Sequence, residues 1–100
     1  MNFKTILNNR RDIANLTEYY DPDSKMNCRI IDRAEIDGGS VVLIELVAGP
    51  TSTPLGYDVC ICNGNKLPRS DEWWRLGWSW NNKDFARNQF DDFSKNTRRG

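Results

Sequence analysis

Two period-two runs flank Asp37-Gly38-Gly39-Ser40, and together they leave little room for anything but a β-hairpin at the centre of the chain. On the first run, Met26, Cys28, Ile30, Ala34 and Ile36 fall on one side of an extended backbone, and Arg29, Arg33 and Glu35 fall on the other. That is the pattern of a half-buried strand. The glycines tolerate positive φ in the turn, and the second run, Val41 to Ala48, is apolar on both sides except at Glu45, as expected of a central strand covered on two faces. Charge then bears on the register. Setting Ile36 opposite Val41 would bring Asp32 across from Glu45, and like charges directly opposed are destabilising. Setting Ile36 opposite Val42, through a longer or bulged turn, puts Arg33 against Glu45 and Ala34 against Ile44. The second register is the expected one. It leaves Asp32 on the apolar side, where a lone carboxylate needs an Arg or amide partner or an elevated pKa.

Other elements are placed around this hairpin by periodicity and turn chemistry. Ile6, Ile13, Leu16 and Tyr20 recur at helical spacing, with Leu7 and Ala14 alongside and Asn8, Asn9, Arg11 and Asp12 opposite, which predicts a helix over residues 3–20 ended by Asp21-Pro22-Asp23-Ser24. Gly49 to Gly56, with Pro50 and Pro54, reads as an irregular loop. Tyr57 to Cys62 alternates again, with Tyr57, Val59 and Ile61 on one side and Asp58, Cys60 and Cys62 on the other. After the Asn63-Gly64 turn, Trp73 to Trp80 predicts a fourth strand with Trp74, Leu76, Trp78 and Trp80 inward and Trp73, Arg75, Gly77 and Ser79 outward. Asn81 or Asn82 is positioned to cap a closing helix, which presents Phe85, Ala86, Gln89, Phe90 and Phe93 to the sheet and ends near Asn96. Residues 97–100 are then a frayed basic tail. The expectation is an α+β fold in α-β-β-β-β-α order: a four-stranded, mostly antiparallel sheet flanked by an N-terminal and a C-terminal helix, in one domain over residues 1–100.

Composition narrows the chemistry. Fourteen Lys+Arg balance fourteen Asp+Glu, so no overall field steers the chain to a polyanion, and the cations Arg10, Arg11, Arg29, Arg33, Lys95, Arg98 and Arg99 are interspersed with acids. Nucleic acid is therefore not an expected partner. The absence of His removes Ser-His, Cys-His and imidazole-metal centres together, and no phosphate-cradling glycine motif or complete calcium loop is present. No cofactor or metal is expected. A zinc site from Cys28, Cys60 and Cys62 would need a carboxylate such as Asp58 to complete it, and buried thiols are the simpler reading. Val41 to Ala48 is far short of the ~20 apolar residues of a membrane span. Residues 1–11 lack a signal-peptide apolar segment, and an odd number of cysteines favours reduced thiols, so a cytoplasmic location is expected.

Two functions remain. Trp73 beside Arg75, on the outward side of the last strand, together with Pro50, Pro54 and Leu55 in the loop, suits a small cytoplasmic, non-catalytic interaction module that occupies a partner's surface, with a second copy of the chain as one candidate partner. The alternative is a small-ligand-binding protein or minimal enzyme. Its aromatic pocket would lie between sheet and helices, lined by Tyr57, Trp74, Trp78 and Asp32.

Overall fold

A computed structural model describes residues 2–49, 51–69 and 71–96. Its elements are β1 (Glu18–Asp21), β2 (Met26–Ile36), β3 (Gly39–Val47), β4 (Pro54–Asn63), α1 (Trp73–Leu76), β5 (Gly77–Trp80) and α2 (Lys83–Asn96). The strands form one antiparallel meander in the order β1-β2-β3-β4-β5. The α-β-β-β-β-α expectation is thereby corrected. Among the described residues there are five strands rather than four, and an extended segment replaces the N-terminal helix.

That segment is extended because both its residues and its surroundings favour it. Thr5, Asn8, Asn9, Asp12, Asn15 and Thr17 are weak helix formers whose side chains compete for backbone hydrogen bonds. Its own backbone finds partners elsewhere: Leu7 N–H donates to Tyr20 O at 2.9 Å, Tyr20 N–H to Thr5 O at 2.7 Å, and Ile13 N–H to Asn65 O at 2.9 Å. Leu7, Ile13 and Leu16, spaced as if for a helix, instead reach down from an extended strap onto the sheet beside Tyr19 of β1, while Ile6 of the same set is exposed.

The sheet is covered on both faces. One face, here face A, packs Cys28, Val42, Ile44, Cys60 and Cys62 against the strap and against Leu67. The opposite face, B, packs Val41, Leu43 and Val59 against Ala86 and Phe90 of α2, with Phe93 at the margin. This explains the near-continuous apolar run of β3, whose residues Val41 to Ile44 are all buried.

The β2–β3 hairpin closes more tightly than charge alone suggested. Ile36 pairs with Gly39, leaving Asp37 and Gly38 as the connection, with Gly38 at φ +78. A side chain at Gly39 would meet the backbone oxygen of Cys62, so that position is closed to anything larger. The irregularity lies inside β2, where the register shifts between Ile30 and Asp32. This β-bulge turns Asp32 to face B and Arg33 to face A, and Glu45 consequently pairs with Arg29 (2.8 Å) rather than with Arg33. Met26, Cys28 and Ile30 thus serve core A while Ala34 and Ile36 serve core B, although a uniform period would have kept them together.

Residues 73–80 are one helical turn followed by a strand, not a continuous strand. The turn folds the Trp73 indole back over Gly77, so closely that a Cβ there would lie 2.3 Å from the ring. From Gly77 onward alternation holds: Trp78 rests against Phe93 with ring centroids 4.9 Å apart, and Trp80 donates its indole N–H to Gln89 Oε1 at 2.6 Å. Asn82 is the helix cap, its Oδ1 accepting from the N–H groups of Asp84 (2.8 Å) and Phe85 (3.2 Å). The proposed tail, residues 97–100, lies outside the described residues, and no helix among those described is long and apolar enough to cross a membrane.

Candidate functional site

On face A the strand rows run from apolar to polar. Ile30, Ile44, Asp58 and Ser79 stand in register across β2 to β5, and Cys28 stands beside Leu46. The strap and the 63–76 connection cover most of this face but do not seal it. Between them lies a cavity of about 410 Å³ with Met26, Cys28, Ile44 and Leu46 in its floor, Asp21 and Asp58 at its sides, and Leu67, Pro68 and Trp73 above. Its size lies in the range of small-molecule sites.

Arg11 holds the rim together. Its φ of +55 is a strained, left-handed conformation for a residue with a side chain, and costs about 1 kcal/mol or more. The strain is offset by four connections. The guanidinium pairs with Asp21 at 3.0 Å and with Asp23 at 2.9 Å, Nε donates to Pro68 O at 3.2 Å, and the backbone carbonyl accepts from Leu67 N–H at 2.9 Å. One residue thereby ties the strap, the β1–β2 turn and the 63–76 connection into a single frame. Burial disfavours the guanidinium charge, but the Asp21 hydrogen bond and the charges of Asp21 and Asp23 outweigh it and raise the pKa further.

Asp58 is the other polar wall. Desolvation pushes its pKa up, the Ser79 hydroxyl donating to Oδ1 at 2.8 Å pulls it down, and the nearby charge of Asp21 raises it again, with a net upward shift. The thiols behind it are inert at neutral pH. Burial pushes Cys28 up to about 12 and Cys62 to about 11, and holds fully enclosed Cys60 well above its ordinary value. No group of three or more metal-ligating side chains occurs among the described residues.

The residues singled out from sequence are distributed over several places. Trp73 is half-buried, packed on core A and lining the cavity, instead of standing free for a partner. Arg75 is exposed and pairs loosely with Glu72 at 3.6 Å. Pro54 and Leu55 are exposed at the start of β4, where Leu55 bulges out of the pairing with β3. Pro50 lies outside the described residues. Trp74 belongs to α1, Tyr57 and Trp78 face core B, and Asp32 reaches Arg87 of α2 while accepting from Arg33 N–H at 2.8 Å. Tyr57, Trp78 and Asp32 therefore do not meet at the cavity, which lies on the opposite face. Of the expected scattered cations, Arg11 and Arg29 bind acids, and Arg33 donates to the carbonyls of Ile13 and Ala14.

Arg11 and Asp21 were not singled out from sequence as site residues, and Asp58 was named there only as a possible fourth zinc ligand. A signal for Asp58 was present: it shares the side of β4 that carries Cys60 and Cys62, so a carboxylate was pointing to the same side as two buried thiols. Arg11 had none, because its role depends on chain segments that meet only in three dimensions. In comparisons with known proteins, no family model, curated protein or solved structure matches the chain.

Proposed function

We propose that the protein binds a small amphipathic molecule in the face A cavity. The observation that supports this most directly is the half-buried Asp58 set beside an apolar floor in an open space of about 410 Å³. Folded chains bury a carboxylate at a cost, and one left at a cavity wall with a single hydroxyl donor among the described residues is organised for a visitor better than for stability. Binding fits better than covalent chemistry, since the thiol of Cys28 stays protonated at neutral pH. Free, buried cysteines suit a reducing cytoplasm, which we include in the reading. The test is an amide-shift titration with tryptophol, a neutral indole alcohol sized for the cavity. Shifts should cluster at Tyr19, Cys28, Leu67 and Ser79; shifts scattered over the surface, or none with tryptophol and with its amine and carboxylate analogues alike, reject the reading.

A second reading, contact with another protein, is favoured by the 59% exposure of Leu55 next to exposed Pro54, on a stretch of β4 that β5 does not reach. A second copy of the chain is the simplest partner. Light scattering over a concentration series should then report a dimer that Leu55→Lys disrupts, and a strictly monomeric protein removes this reading.

A further inference from the structure

Resting on the proposed binding function, we infer that the cavity selects a ligand carrying a protonated amine on a flat apolar body, with the ammonium seated at Asp58. Three carboxylates and one guanidinium line the space, so it is net acidic. The guanidinium is already committed: Asp21, Asp23 and the Pro68 carbonyl take its donors, which leaves it little to offer an anion. Asp58 differs. Its Oδ1 accepts from Ser79, and among the described residues its Oδ2 accepts no hydrogen bond. A cation placed there supplies a charge-assisted bond and relieves the repulsion between Asp58 and Asp21. The rest of the lining describes the remainder of the ligand: Met26, Ile44, Leu46 and Leu67 offer apolar contact, and the Trp73 indole attracts a nearby cation through its ring while accommodating a planar body. A bare divalent ion does not suit the same place, because no three-ligand cluster exists among the described residues.

The experiment compares tryptamine, tryptophol and indole-3-acetate, which share a ring and differ mainly in charge, by calorimetry and amide shifts on the full chain at neutral pH. Tryptamine should bind about ten-fold or more tighter than tryptophol, and indole-3-acetate most weakly. Asp58→Asn keeps the shape and an acceptor for Ser79 but removes the charge, so it should erase the tryptamine advantage over tryptophol. Tryptophol binding as well as tryptamine in the wild-type protein overturns the amine inference and leaves the binding reading standing. Failure of all three to shift the cavity amides overturns both. The wild-type comparison alone decides the matter even if the variant folds poorly.

Discussion

Replacing Asn82 by Ala removes the acceptor that serves two backbone donors at the start of α2, Asp84 N–H at 2.8 Å and Phe85 N–H at 3.2 Å. Caps of this kind contribute about 1 kcal/mol, within a range of about 0.5–2. The end of the helix is exposed, so water partly replaces the lost acceptor, which holds the cost near the middle of that range. The loss is felt globally. Ala86 and Phe90 of α2 are buried in core B and Gln89 accepts from Trp80, so the helix cannot fray back by several turns without opening one side of the sheet. For a chain of 100 residues, about 1 kcal/mol corresponds to a midpoint lowered by roughly 4–8 °C. Thermal and urea unfolding followed by far-UV circular dichroism should show this shift with an unchanged m-value. Asn82→Asp should stay within a few tenths of a kcal/mol of the parent, since aspartate also accepts and its charge suits the helix start. Asn81→Ala should be silent. Equal losses at residues 81 and 82, or none at 82, would refute the capping argument.

Other consequences are open to measurement. Asp58 holds its proton more tightly folded than unfolded, so it lowers stability as pH rises from the unfolded carboxylate range, near 3.9, through its higher folded pKa. The stability of Asp58→Asn relative to wild type should therefore increase over that window, and a relative decrease contradicts the assigned direction. Gly39→Ala should cost about 3 kcal/mol, because the new Cβ would fall 1.9 Å from the Cys62 carbonyl oxygen and two strands must part. Gly38→Ala, strained at φ +78 but with open space around it, should cost only about 1–2 kcal/mol; urea midpoints in the reverse order reject the close-approach argument. Cys60 and Cys62, which do not line the cavity, should react with a thiol reagent at pH 8 only at the rate of opening, and denaturant should release both together. Rapid labelling of the native protein would show that core A is not closed around them.

The local pattern of residues was a good guide wherever a segment's environment is symmetric along its length. β3 reads as central because both its faces are apolar, and α2 reads as a capped amphipathic helix because Asn82 precedes a stripe that meets one core. The pattern misled where periodicity is interrupted or borrowed. In β2 one bulge exchanges the faces of Asp32 and Arg33, and residue spacing carries no mark of it. In residues 3–20 the apolar spacing suits a helix, yet the sheet supplies hydrogen-bond partners and an uncovered face, and tertiary demand overrides a weak local preference.

Antiparallel strands, a closing helix, buried thiols and a balance of charge all follow from which residues stand next to which, because strand alternation, turn chemistry and capping are short-range effects. The cavity does not. It exists because Arg11, Asp21 and Pro68, far apart along the chain, are held together by one guanidinium, and because Asp58 lands beneath them on a strand paired through Ser79. Desolvation and charge–charge forces act over distances in space, so the electrostatic character of that wall came into being only with the folded packing.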